Sequence, residues 1–264
     1  MDIGNLKTLL SLDNRDMGIV IGLYLSRFNK QALDAFEFSS FRQAYNVLGV
    51  SLGIKPKSIN NYRDEFDPYF PNGRQGWHNR EIKPQSKAIM ELAKDLTFDQ
   101  ITFIIKAHLA HKDVDLEDLQ IPITSYQNKH EFSANRLITG KAAEEYFVQI
   151  YPTIDIFTGF DISDTTSQGC GFDFKLSKGM NRYYVEVKGM NDRNGNILMT
   201  EKEHKAADEL LNRYCLFVVR DFRNKPFHDY YLDPLHCGQI DFKKQERQVI
   251  QTSYTGIFIY NNTH

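Results

Sequence analysis

Asp173, Glu186 and Lys188 form the pattern in this chain most suited to chemistry: an acid, a gap, and then Glu-x-Lys. They lie in the stretch Gly171–Gly189, where two β-rich runs flank the turn-forming residues Lys178, Gly179, Met180 and Asn181, so a hairpin is expected. With Lys178–Asn181 as the loop, Ser177 stands opposite Arg182. Phe172, Phe174 and Leu176 then share a face with Tyr183, Val185 and Val187. The other face carries Asp173, Lys175, Tyr184, Glu186 and Lys188, with Asp173 across from Glu186. A slip of one residue would mix phenylalanine with glutamate on both faces, which a core does not tolerate. Burial of the apolar face therefore gathers two carboxylates and an ammonium on the other.

Two carboxylates a few ångströms apart raise each other's pKa unless a cation sits between them. A hard divalent ion such as Mg²⁺ suits them, because it takes carboxylate oxygens and keeps several waters. So held, it supplies a hydroxide-like nucleophile and stabilises charge on a phosphoryl group. Lys188, two residues beyond Glu186 on the same side of the strand, can orient the water or stabilise the developing charge. Phosphodiester hydrolysis needs that combination. Glu-x-Lys alone is usually a solvated polar face; the facing Asp173 strengthens the chemical reading, and the surrounding residues must decide it.

The elements that position these residues are legible in outline. From Asn5 to about Leu109 apolar residues recur at helical spacing, and Asp99 is a candidate cap for a helix Gln100–Leu109. The pattern dissolves between Ala110 and Ser133, which places the boundary between a helical domain (1–120) and a second domain (121–264). Beyond it come a helix (Lys141–Ile150), strands Phe172–Leu176, Tyr183–Val187 and Tyr214–Val219, a helix about Glu201–Asn212, and a last strand candidate, Tyr254–Tyr260. Helix, hairpin, helix, strand is an α/β or α+β order, following a helical domain. The balance of 32 Lys+Arg against 34 Asp+Glu excludes a globally basic nucleic-acid binder. Three cysteines make no disulfide framework, and His228, His236 and Cys237 have no metal-like spacing and read as loop residues. With neither a signal peptide nor an apolar stretch of bilayer length, a soluble cytoplasmic protein without membrane association is expected.

Asp173 followed by Glu186-Val187-Lys188 resembles the PD-(D/E)xK nuclease signature. The blocks Thr139–Phe147, Gly171–Asp173, Val185–Gly189, Met199–Ala207 and Tyr214–Val219 are similar to one restriction-linked branch, the nuclease-like domain named after the C-terminal part of the plant NO VEIN protein. The resemblance spans about Asn135–Val219. It implies an α+β chain whose restriction-endonuclease-like α/β core has a central mixed sheet, with Asp173 and Glu186 as metal ligands assisted by the Val187 carbonyl and Lys188 as the catalytic lysine. It also implies Glu144, on the leading helix, as a further acidic member. Phe172 stands where the signature often has proline. Glu203 and His204 read as structural or surface residues.

In the first half, Phe41–Arg63 reads as helix, tight turn at Leu52-Gly53-Ile54, and a second helix with Pro56 at its start, a spacing similar to a helix-turn-helix. With Ile54 and Ile59 inward, Lys55, Lys57, Ser58, Asn60, Asn61 and Arg63 are expected to face DNA, Asn and Arg being able to contact adenine and guanine edges. The loop after it offers Arg74 and Arg80 to phosphates and Trp77 to a base. Residues Glu37–Lys94 hold nine Lys/Arg against six Asp/Glu, a local excess of three in a chain of net charge -2. The expectation is a Mg²⁺-dependent DNA endonuclease, Mn²⁺ substituting, of restriction or phage-defence type. Double-stranded DNA is its partner, a homodimer is compatible, and the helical domain reads sequence. The alternative is a non-cleaving DNA-binding regulator or assembly subunit; a carboxylate-pair glycosidase gives Lys188 no role.

Overall fold

The computed structural model describes residues 8–109 and 127–245, with side chains in the second segment from 137 onward. The expected domain boundary at residue 120 and the strand candidate Tyr254–Tyr260 lie outside the described residues. The helical half is built around α1 (Asn14–Phe28), whose first turn is capped by the Asp13 side chain accepting from the Asp16 N–H at 2.8 Å. Met17–Ser26 are buried without interruption, as for a helix surrounded on all sides. Around it lie α2 (Lys30–Asp34), α3 (Phe41–Ser51), α4 (Pro56–Phe66), α5 (Pro84–Ala93) and α6 (Phe98–Leu109). Helix α4 can lie directly on α1 because Gly22 has no side chain: a Cβ there would come within 2.4 Å of the Tyr62 Cβ and 2.9 Å of the Arg63 nitrogen.

The helix, turn, helix read from Phe41–Arg63 is present, with Ser40 capping α3 and Pro56 in the first turn of α4. One cap differs from expectation. Helix α6 starts at Phe98, and Thr97 caps it: its Oγ1 accepts from the Gln100 N–H at 3.3 Å while Gln100 Oε1 accepts from the Thr97 N–H at 2.9 Å. Asp99 therefore lies inside the helix.

Helix α7 (Gln127–Ile150) joins the halves. Ile138, Ala142, Ala143 and Phe147 are buried, and they belong to one apolar cluster that runs from α1 to one face of the sheet. The Phe147 ring lies 4.9 Å from Phe217 and 5.4 Å from Phe174. Two polar ties cross the same seam: Asn46 of α3 donates to the carbonyls of Phe222 (2.8 Å) and Asn224 (3.0 Å), and Ser51 donates to the Ile138 carbonyl.

The sheet has the order β1-β2-β3-β4-β5: β1 (Asp161–Asp164), β2 (Phe174–Lys178), β3 (Asn181–Gly189), β4 (Tyr214–Arg220) and β5 (Phe227–Leu232). Only β3 and β4 are parallel; the other neighbours are antiparallel. Helix α8 (Glu201–Leu210) makes the crossover between β3 and β4 and packs Ala206 and Ala207 with Tyr214. The expected α+β arrangement, a helical region followed by a mixed sheet with helices, is therefore what the chain adopts.

The hairpin register is the expected one, with Ser177 opposite Arg182 and Phe174 opposite Val185, but Lys178 pairs with Asn181 and the loop is Gly179-Met180 alone. Phe172 departs from expectation. It lies on the α8 side, 4.8 Å from the Tyr184 ring, because the chain leaves the extended conformation before β2 begins. His228, read as a loop residue, sits in β5 and stacks on Phe217 at 5.0 Å. No helix among the described residues is long and apolar enough to cross a membrane.

A carboxylate cluster on the central strand of the sheet

The approach to Asp173 depends on Gly171. Its φ of +89° is unfavourable for a side chain, and a Cβ would come within 2.7 Å of the Lys202 carbonyl of α8. The chain thus passes beneath the helix and turns up into β2. Strand pairing ends at Phe174–Val185, one residue short of an Asp173–Glu186 pair. Asp173 is instead clipped to β3 twice: its N–H donates to the Val185 carbonyl at 2.9 Å, and its Oδ2 accepts from the Val187 N–H at 2.8 Å.

Glu186 is 4% exposed and Lys188 is largely buried beside it. The Lys188 ammonium bonds Glu186 Oε1 at 2.6 Å and Glu203 Oε2 at 2.7 Å. Burial, followed by the charge of Asp173, pushes the Glu186 carboxyl up to about 8 despite that ammonium. Burial also raises Asp173, against the Val187 N–H and Lys188, which lower it. Glu144 reaches the same field from α7: burial and then the Asp173 charge push it up to about 7, although Lys141 lies 3.5 Å away. Burial alone would lower the proton affinity of Lys188; Glu186 and Glu203 outweigh it and hold the ammonium charged.

Three carboxyl groups of raised proton affinity, Glu144, Asp173 and Glu186, are thus supplied by α7, the turn before β2, and β3. Asp173, Glu186 and Glu203 line a cavity of about 140 Å³ together with Thr166, Gly169 and Phe172. A larger cavity of about 330 Å³, in the helical half, contains none of these acids and is walled by Leu23, Tyr69, Phe70 and Met90 with Arg27 and Lys94. The carboxylates lie at the smaller one.

The donor chemistry fits a hard divalent cation, since the acids are oxygen ligands in a setting short of positive charge. Among the described residues no group of three or more His, Cys, Asp or Glu is arranged around one point. Asp173 and Glu186 are thus a pair of carboxylates of the kind Mg²⁺ accepts when water completes its shell. For Val187 the hydrogen bond seen at the cluster is made by its N–H, to Asp173.

Glu203, read as a structural or surface residue, caps α8 and also meets the cluster through Lys188. The sequence carried half the signal: Thr200 and Glu203 have capping-box spacing, and the box forms. That a helix start would be laid against Lys188 is a tertiary fact.

In the helical half, Lys55 and Lys57 are exposed, while Ser58, Asn60 and Asn61 are half-buried, with Asn60 donating to Asp64 Oδ2 at 3.0 Å. Arg63 does not face outward. It is 1% exposed, its guanidinium lies 3.4 Å from the centre of the Phe41 ring, and it donates to Tyr45 and Asn29. Inward is where a helix packed on α1 must point this position. Arg74 is exposed but paired with Asp64 at 2.5 Å and Asp67 at 2.6 Å, so its charge is already answered. Trp77 is half-buried, with Arg80 5.0 Å and Lys83 5.4 Å from its ring centre, and Arg80 is exposed.

Residues 143–232 match the family model described as Protein NO VEIN, C-terminal. The match covers about a third of the chain, from α7 through β5, and so includes Glu144, Asp173, Glu186, Lys188 and Glu203. No curated protein and no solved structure matches the chain.

Proposed function

We propose that this chain is a metal-dependent nuclease of the PD-(D/E)xK type that hydrolyses phosphodiester bonds in double-stranded DNA. The observation that carries the reading is the convergence of Asp173 and Glu186 on one cavity, with the Lys188 ammonium bonded to Glu186 and Glu144 in the same field. The similarity of residues 143–232 to a nuclease-like family supports it. Asp173 and Glu186 would hold Mg²⁺ or Mn²⁺, with the Val187 carbonyl assisting, and the bound ion supplies an activated water and neutralises charge on the phosphoryl oxygens. An ammonium has three N–H donors. Two of those on Lys188 go to Glu186 and Glu203, and the third is left for a phosphate oxygen or the attacking water. Glu144, whose carboxyl is pushed up to about 7, holds or releases a proton near neutrality at the rim of the cluster.

The helical half is the DNA-reading part in this proposal. Lys55, Lys57 and Arg80 are its exposed cations for phosphate, Ser58, Asn60 and Asn61 lie on the outer side of α4, and Trp77 stands beside Arg80. Arg63 and Arg74 are excluded from that role by the partners they already have. A restriction or phage-defence setting follows from the resemblance to that branch. Incubation of the full chain with plasmid DNA, with and without Mg²⁺, decides the activity: nicking or linearisation only with the metal is expected, and robust cutting in excess EDTA would overturn the metal assignment.

A further inference from the structure

Lys188 is held from two sides, and only one of the holders belongs to the Asp173–Glu186 pair. The other is Glu203, which comes from α8. A lysine ammonium at the end of a four-carbon stem has no fixed position of its own and must be given one. Glu203 can give it because Glu203 is itself fixed. Its Oε2 accepts from the Thr200 N–H at 3.0 Å, and its own N–H donates to Thr200 Oγ1 at 3.3 Å. The helix start is fixed in turn, with Ala206 and Ala207 packed with Tyr214 and with Gly171 passing beneath the Lys202 carbonyl. An exposed capping-box glutamate spends its second oxygen on water. In Glu203 the oxygen that closes the cap also bonds the lysine, and its side chain is 15% exposed at the cavity wall.

We propose that Glu203 is a positioning residue for Lys188: through the α8 cap it fixes the ammonium beside Glu186, and it is the contact that keeps Lys188 in place when Glu186 is engaged by a cation. This rests on the nuclease reading for its consequence in catalysis, but not for its geometry. A residue that merely caps α8 and one that places Lys188 make different demands on its neighbours. Thr200→Ala removes the acceptor for the Glu203 N–H and leaves the carboxylate and its bond to Lys188. Glu203→Ala removes both, and Glu203→Gln retains an acceptor oxygen.

The test uses the full-length chain and two readouts. The first is the rate of reductive methylation of Lys188 in metal-free protein, read by peptide mass spectrometry at one fixed pH. Glu203→Ala should raise it about tenfold, on the scale of losing an outer-shell partner, while Thr200→Ala leaves it within about twofold of wild type. The second is cleavage: Glu203→Ala should lower kcat by about 10–100-fold with KM little changed, and Glu203→Gln should recover part of the loss. Equal methylation of Lys188 in wild type and Glu203→Ala would overturn the proposal. So would equal losses of kcat in Thr200→Ala and Glu203→Ala. A wild-type chain that cuts nothing would remove the nuclease reading, and the methylation rates would still decide whether Glu203 places Lys188.

Discussion

The N–H of Val187 donates to the Oδ2 of Asp173 at 2.8 Å, so the backbone of the strand that carries Glu186 and Lys188 holds the aspartate of the preceding turn. One carboxylate oxygen is thereby oriented by a backbone amide. The bond also sets the spacing of the cluster. It brings Asp173 close enough to Glu186 for its charge to disfavour the ionised form of Glu186, and the Lys188 ammonium answers that repulsion only in part.

The first prediction follows from that imbalance. Glu186 titrates near 4.5 in the unfolded chain and at about 8 in the native one. Across that window the native state holds more protons, so stability should fall as pH rises, having been fully present below the lower value. Asp173 and Glu144 are raised too and act in the same direction. In EDTA, Tm should drop between pH 5.5 and 8.5; Glu186→Gln should flatten the drop, and added Mg²⁺ should oppose it. A metal-free Tm that climbs steadily over this range would contradict the electrostatic picture.

A second prediction concerns activity. Asp173→Ala, Glu186→Ala and Lys188→Ala should each abolish cleavage, and the double variants should be no worse than the singles because the residues act as a unit. Lys188→Ala should also cost stability near pH 8, by about 1–3 kcal/mol, since it strips the hydrogen-bond partner from a buried Glu186. Chemical denaturation with the plasmid assay checks both, and a Lys188→Ala enzyme cutting at near wild-type rate would sink the assignment.

How much of this was open to inspection in the sequence differs from residue to residue. The β2–β3 register was legible because alternation of Phe174 and Leu176 with polar residues permits only one face to be buried. Strands β1 and β5 were not. Asp161–Asp164 is short, polar and mostly exposed, and Phe227–Leu232 is half-buried apart from the exposed Tyr230, so neither shows a period of two. Phe172 was assigned to the wrong face because the turn at Gly171 breaks the alternation just before it. Arg63 read as a solvent-facing reader since arginine is seldom buried; the Asp67 four residues on, 3.8 Å from it, was the available hint that it is paired inside.

The third prediction separates those two kinds of arginine. Arg80→Ala should weaken binding to all duplexes and reduce the salt dependence, as loss of one phosphate contact does. Arg63→Ala should instead destabilise the helical half, because the Arg63 side chain bonds Tyr45 and Asn29 and stacks on Phe41. Fluorescence anisotropy at two salt concentrations, beside thermal unfolding, distinguishes them. Relaxed sequence preference in a fully stable Arg63→Ala protein would show that this side chain reaches DNA after all.

The last prediction concerns the seam between the helical half and the sheet. Asn46 is 7% exposed and gives both N–H groups of its amide to carbonyls of the segment after β4, those of Phe222 and Asn224. Asn46→Leu keeps roughly the volume and removes both donors, leaving the two carbonyls without this partner. The cost should be about 1–3 kcal/mol for each acceptor that water cannot reach. Because the apolar cluster is continuous from α1 to the sheet, that loss should be felt by the whole protein rather than by one half. Near-ultraviolet circular dichroism, sensitive to the aromatic residues of both halves, and hydrogen exchange in α1 and β4 should report the same shift in midpoint. If instead β4 loosened while α1 kept its wild-type protection, the halves would be separate folding units joined by α7, and Asn46 would be a local tie.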